Sequence, residues 1–556
     1  MVSGGRPEVT MFFRKKKVGP YEYVVLVENK WSDGKVRQRT LLNLGRVEEV
    51  LEKGTIDSLL VSGAKFSREL AILKAGEALP LENKKVIGPV MVFEKLWTET
   101  GIRKSLETIL RDRRFECDVE RAVFTTVLHR LMRSGADLAC DAWRMDYRID
   151  GTDDLKLHHL YRAMEWLGEP VSEWNEEDPL AERRIHHQLE EMVYMTRRDL
   201  FSAVQMVFFD TTSLYVEGKG GDGLGERGHS KDHCPENNQM IVGIVLDQDG
   251  NPICSEMWPG STADVTVLIP IAERLKNRFQ ITSMCVVCDR GMISESSIRE
   301  LESAGIHYIL GARMRQCKEV KETVLRRGGR YETVQSARQT SHDPAPLKVK
   351  NVRVGDRRYI ICLNPEEAEA DAASRQEIIR QLERALRRGD KQLVGNKGYR
   401  RYLRTRGPRF EIDMEKIAEE SRFDGKYVLR TDLDLPADVI ALEYKQLWMV
   451  ERVIRSIKSV LETRPVYHRM NETIRGHVFC SFLALCLLKA LENRMLCNGY
   501  SFHWDRIRQE LDRVDEGDLT VQDKTFRIRS EIQPEASRAM LSVGVKFPQF
   551  ISLISQ

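Results

Sequence analysis

The sequence predicts an α/β chain whose central sheet is interrupted by a mostly β insertion, with a small N-terminal α/β unit and a helical region ahead of it. Three observations carry this expectation. From Ala203 the chain turns to strands, AVQMVFFD, QMIVGIVLD and PICSEMWPG, with the turn QDGN between the last two. A helical stretch, ADVTVLIPIAERLKNRF, then leads into SMCVVCD, a further buried strand. Residues 314–436 return to β character before a second, strongly helical region begins.

Residues 1–90 read as the N-terminal unit. Two β-rich runs, YEYVVLVENKW and VRQRTLLNLG, are separated by the turn sequence SDGK, and the helical TIDSLLVSGAKFSRELAILKAGEAL follows. Lys15, Lys16, Lys17, Lys30, Lys35, Arg37 and Arg39 make it basic at one end, which suits DNA contact or, equally, a solvated charged surface. Residues 91–200 are helical. Their adjacent histidines, His158 with His159 and His186 with His187, should point to different sides of a helix and make poor metal pairs.

Residues 201–313 hold a three-strand meander, a crossing helix and a fourth strand, with Asp210 and Asp289 closing the first and fourth. That order is the ribonuclease-H-like arrangement. Neighbouring parallel strands would bring both carboxylates to one edge of the sheet. Gly218, Gly220 and Gly223 have GxGxxG spacing, but a strand and not a helix follows them, which excludes a dinucleotide site. The expectation there is a flexible loop beside the site, with Lys219, Arg227 and Lys231 available to a DNA strand. Asp264 reads as a first-turn helix acid, and Asp247 and Asp249 as turn residues.

Within 314–436, KVKNVRV and RRYIICLNP form a hairpin around GD, a long charged helix runs from about Glu366 to Arg388, and NKGYRRYLRTRGPRF interleaves bases, Arg400 and Arg401 among them, with Tyr399, Tyr402 and Phe410. Residues 437–498 resume the core. A helix from Asp438 to Leu461 would align Tyr444, Leu447, Glu451, Arg455 and Lys458 within about 40° of one line along its axis. Glu443 falls on the apolar side, which favours Glu451 as the working acid. Residues 499–556 carry no recognisable chemistry.

Composition narrows the class. The 556 residues exceed what one core holds, so several domains are expected. A net charge of +3 leaves any nucleic-acid binding to local basic patches. Eleven cysteines without regular spacing fit reduced thiols in a cytoplasm, and Cys285 and Cys288 fit core packing. No signal peptide or membrane span is read, VFCSFLALCLL being too short. Asp210, Asp289 and Glu451 together offer hard oxygen ligands for Mg²⁺ or Mn²⁺, and two such ions suit in-line phosphodiester displacement.

The segments FFDTT, GHSKDH, PGSTAD, CDRGM and YKQLWMVE, over roughly residues 200–490, resemble the DDE transposases of bacterial insertion sequences, specifically the insertion-sequence-four superfamily, in which a β insertion separates the second acid from the third. That family's signature, Y-x2-R-x3-E-x6-K, is met by Tyr444, Glu451 and Lys458, with Leu447 in place of the arginine. The resemblance implies that Asp210, Asp289 and Glu451 hold the metals and that Tyr444 and Lys458 contact DNA, with Lys445 or Arg455 replacing the missing arginine. It implies cut-and-paste transposition on double-stranded DNA, at terminal inverted repeats and a target, by a homodimer in the bacterial cytoplasm, with residues 91–200 serving end binding or dimerisation. Relatives stack a flipped base on a tryptophan in the insertion. Here residues 291–443 hold none, leaving Tyr399, Tyr402, Phe423 or Tyr427. A hydrolytic nuclease of the same fold and an inactive DNA-binding derivative are the alternatives.

Overall fold

The computed structural model describes residues 10–32, 35–63, 81–171, 183–197, 206–218, 220–228, 236–281, 284–289, 291, 294–336, 344–388, 401–406, 409–521 and 524–555. The chain is a mixed α/β protein in two compact units. One comprises Met1–Val86, Arg513–Gln533 and Phe547–Gln556, the other Ile87–Asp512 and Pro534–Lys546.

In the first unit, β1 (Thr10–Val18), β2 (Tyr21–Ser32) and β3 (Lys35–Arg46) form an antiparallel sheet. β2 and β3 follow the two expected runs, while β1 is an additional strand carrying exposed Lys15, Lys16 and Lys17. The described part of the helix after them is Thr55–Gly63. β4 (Glu82–Val86) pairs with a strand from the far end of the chain, in a second sheet described last.

The second unit is built on a nine-stranded mixed sheet. Its first part is β5 (Met206–Val216), β6 (Asn238–Leu246), β7 (Pro252–Pro259), β8 (Cys285–Cys288) and β9 (His307–Gly311). β5, β6 and β7 make an antiparallel meander; β8 lies parallel to β5, and β9 parallel to β8. The crossing helices Asp264–Asn277 and Glu295–Ser303 cover one face, where Val207, Phe209, Val286 and Cys288 meet Leu268, Ile271, Leu275 and Leu301 in a dry core. Cys285 and Cys288 are buried thiols within β8.

Residues 314–436 add β10 (Glu332–Gln335), β11 (Leu347–Val354), β12 (Arg357–Leu363) and β15 (Lys426–Thr431) to the same sheet, which runs β10-β11-β12-β15-β9-β8-β5-β6-β7. β13 (Leu403–Arg406) and β14 (Arg409–Ile412) form a separate hairpin, and helices Pro365–Arg388 and Met414–Glu420 accompany them. β15 pairs antiparallel with β9, so this segment widens the sheet.

Helix Asn471–Cys497 is long and apolar enough to cross a membrane by length and composition, and its apolar stretch is 83% buried in the protein. It packs on helices Val119–Met132 and Leu157–Gly168 and on β7. Two glycines allow that approach: a Cβ at Gly476 would lie 1.8 Å from the Met164 carbonyl oxygen, and one at Gly168 would lie 2.0 Å from that of Glu472. Back in the first unit, β16 (Asp515–Val521), β17 (Lys524–Arg529) and β18 (Ile551–Ser555) complete the four-stranded order β18-β17-β16-β4.

Candidate active site

β5 does not end at Asp210. It continues to Val216 on β6, while its parallel pairing with β8 stops at Phe209, opposite Cys288. Asp210 and Asp289 are the next residue on each strand. Side chains alternate along a strand, and Phe209 and Cys288 point into the core beneath the crossing helices. Both carboxylates are therefore sent to the opposite face, side by side on neighbouring strands. Their proximity is felt by the Cys288 thiol, which burial pushes up and which the charges of Asp289 and then Asp210 push further. Asp210 is half-buried and Asp289 exposed.

The expected single helix from Asp438 to Leu461 is instead two, Ala437–Lys445 and Trp448–Arg455, followed by a π-helical turn at Ser456–Val460. The cause lies in the backbone bonds. Gln446 N–H donates to Glu443 O at 2.9 Å, Leu447 to Tyr444 at 3.1 Å, Met449 to Gln446 at 2.9 Å and Val450 to Leu447 at 3.0 Å, a run of three-residue bonds that winds the chain more tightly than an α-helix. Leu447 is buried within this run, where a charged guanidinium would need a partner. The straight-axis alignment of Tyr444 with Glu451 and Lys458 is thus interrupted twice.

The first helix packs on β8, β9, β11 and β12, and the Tyr444 hydroxyl donates to Asp289 Oδ1 at 3.2 Å. Tyr444 also stacks on Tyr427, with ring centroids 5.8 Å apart. The second helix packs on β5 and β6 through a face that buries Val450 and Val453, with Glu451 exposed beside them. Burial raises the pKa of Glu443.

Of the expected DNA contacts, Arg455 is exposed and Lys458 is half-buried in the π-turn. Arg401 lies over the Tyr402 ring at 5.0 Å, with Glu420 at 3.9 Å. Lys231, Arg400, Tyr399 and Lys219 lie outside the described residues. Lys445 donates to Gln335 Oε1 at 3.0 Å. Tyr402 and Phe423 are buried in local cores and are not presented as stacking surfaces.

In the described part of the glycine-rich loop, Gly218 and Gly223 have open space around them, while Gly220 and Gly228 sit against backbone. A Cβ at Gly220 would lie 2.1 Å from His468 O, and one at Gly228 would lie 1.8 Å from Gly260 O. Gly221 N–H donates to Arg469 O at 3.0 Å.

Sequence reasoning missed Thr211 and Asp264. The Thr211 N–H donates to Asp210 Oδ1 at 2.7 Å, and its hydroxyl donates to Asp264 Oδ1 at 2.8 Å. Asp264 opens its helix, as expected, but it also reaches the strand that bears Asp210. The available signal was a pair of threonines directly after an acid in an otherwise apolar strand.

Among the described residues, two sets bring three ligand atoms within 4.8 Å of one another: Glu116 with His158 and His159, and Asp137 with His468 and His477. Asp210, Asp289 and Glu451 are not such a set. The expectation that His158 and His159 diverge is corrected, since their rings are 4.1 Å apart and both reach toward Glu116 Oε1 at 3.9 Å. His159 Nδ1, however, accepts from Lys156 N–H, which leaves the proton on Nε2, the atom facing Glu116. At the second set the Arg130 guanidinium already neutralises Asp137 at 2.7 Å.

Residues 205–487, just over half of the chain, match the family described as Transposase DDE domain. Residues 12–76 match that described as IS1634 family transposase, N-terminal domain. No curated protein matches the chain. Among solved structures, a piggyBac transposase synaptic complex with hairpin DNA, determined by cryo-EM, aligns at 10% identity over 76% of this chain and 79% of that one, with a TM-score of 0.37. A score that low carries no argument about the fold.

Proposed function

The chain belongs to the DDE transposases, and we propose that Asp210, Asp289 and Glu451 are the acids with which it cuts and joins DNA. As a transposase it acts on DNA, cleaving it and transferring the freed strand, and its family works with a divalent metal. The observation that carries the assignment is the register of β5 and β8, Phe209 opposite Cys288, with the next residue on each strand an aspartate. The strand order β7-β6-β5-β8-β9, with its antiparallel meander and crossing helix, supports reading this part as ribonuclease-H-like.

The donor set suits hard divalent ions: oxygen ligands only, on a face open enough to admit an ion. Asp210, Asp289 and Glu451 would hold Mg²⁺ or Mn²⁺, two ions in our reading. Ions held there would supply activation of water or a 3′-hydroxyl and stabilisation of the leaving oxygen. Glu451 reaches the aspartates by movement of its helix at the tightly wound Gln446–Val450 turn, a type of backbone irregularity that often serves as a hinge. The Tyr444 hydroxyl orients Asp289 meanwhile. Arg455, Lys458 and the bases of residues 400–401 hold phosphates, as do Lys231 and the exposed lysines of β1. This binding weakens as salt rises.

The substrate we infer is double-stranded DNA carrying the element's terminal inverted repeats, held by a homodimer in the bacterial cytoplasm, with excision followed by insertion elsewhere. An assay with Mg²⁺, the DNA flanking this reading frame and a target plasmid tests it. Joined products are expected, and nicks without joining would favour hydrolysis alone.

A further inference from the structure

We propose that Asp264 is a positioning residue that braces Asp210 from behind the sheet, acting through Thr211. This rests on the assignment of Asp210 as a metal-holding acid. Val207 and Phe209 enter the core beneath helix Asp264–Asn277, and strand alternation sends Thr211 the same way, so its hydroxyl meets the first residue of that helix. Asp210 is sent to the other face, where helix Trp448–Arg455 packs on β5. Among the described residues, the link from Asp264 to Asp210 runs through Thr211.

The link has two bonds. Asp264 Oδ1 accepts the Thr211 hydroxyl at 2.8 Å, and the Thr211 N–H donates to Asp210 Oδ1 at 2.7 Å. Thr211 is 3% exposed, so its hydroxyl bond is shielded from water. It lies just past Phe209, where the parallel ladder with β8 has stopped, so the backbone there lacks the hold of that ladder. A carboxylate anchored in helix Asp264–Asn277 supplies a hold in its place. The consequence is a fixed peptide at 210–211, with one Asp210 oxygen tied to the Thr211 N–H.

The test uses the full chain with Mn²⁺ alone as probe, titrated by the paramagnetic signal of the free ion, and hydrogen exchange of the 206–216 segment without metal. Asp264→Ala and Thr211→Val are expected to weaken Mn²⁺ binding by about tenfold or more, in the range typical for partners of a metal ligand. Both should speed exchange at Thr211 while leaving the melting temperature near that of the parent. Asp264→Asn, whose amide oxygen still accepts the hydroxyl, should stay close to the parent. Parent-like Mn²⁺ binding in Asp264→Ala overturns the brace, as does Asp264→Asn behaving like Asp264→Ala, which would make the charge of Asp264 the active feature. Asp210→Asn separates the two levels. If it binds Mn²⁺ as the parent does, the assignment of Asp210 fails and takes the brace with it. If it loses Mn²⁺ while Asp264→Ala does not, the brace alone fails.

Discussion

Glu190 and Asp289 are both carboxylates beside the central sheet, and their surroundings could hardly differ more. Glu190, on helix Ile185–Arg197, is fully enclosed: the Ser255 N–H and hydroxyl each donate to one oxygen at 2.8 Å, and Arg274 donates to the other at 2.6 Å. Arg274 also holds the half-buried Glu256 at 2.6 Å, so one guanidinium serves two acids. Asp289 is exposed, and among the described residues the Tyr444 hydroxyl donates to it at 3.2 Å. The enclosed group is fully committed to holding helices on strands, because a buried charge costs several kcal/mol unless paired. The exposed group spends little on folding and has oxygen lone pairs to give to an ion. An acid's fitness for chemistry is thus set by what else already binds it.

That contrast is broken most sharply by removing charge on the exposed side. Asp210→Asn, Asp289→Asn and Glu451→Gln should each lower joined product by more than about a hundredfold, beyond the usual cost of losing a ligand's partner. Melting temperatures should stay near the parent's. A large fall in melting temperature would instead put these acids in the enclosed class.

On the enclosed side, Arg274→Met strands Glu190 and Glu256 and should cost about 3–5 kcal/mol, read as a lower urea midpoint. A midpoint within error of the parent would show the cluster to be replaceable. Activity per folded molecule should be retained in either case.

The smallest effect concerns pH. His129 is buried edge-on to Trp143, with ring centroids 5.1 Å apart, and burial followed by the charge of Arg130 lowers its pKa from 6.5 to about 4. Between those values the unfolded chain binds a proton that the folded chain excludes, so stability falls as pH is lowered through that window. Its share between pH 7 and 5 is about 2 kcal/mol. His129→Gln should reduce the pH dependence of the urea midpoint by roughly that much. An unchanged dependence would show that His129 is protonated in the folded state.

The strands that carry Asp210 and Asp289 were legible because their signals are local. An apolar run stopping at FFD or VVCD reports a buried strand meeting an acid, and the spacing of Tyr444 and Glu451 survives in the sequence whatever the helix does. What failed were extrapolations from ideal geometry. The helix wheel assumed one axis from Asp438 to Leu461, whereas three-residue bonds around a buried Leu447 and a π-turn at Ser456–Val460 reset the phase. Two glycines of the loop read as flexible, Gly220 and Gly228, lie where another backbone comes too close for a Cβ, a contact that no local pattern announces.

The sequence by itself determined which residues can be strands, which acids end up beside apolar runs and which family the chain resembles, since hydrophobic period and residue chemistry are properties of neighbours along the chain. Only the tertiary structure decided that residues 314–436 widen the same sheet and that Lys445 is held by that segment. It alone paired Thr211 with Asp264 across 53 positions. Those facts depend on which surfaces meet when the layers pack, and a side chain's partner across a packed interface leaves no periodic trace in the chain that carries it.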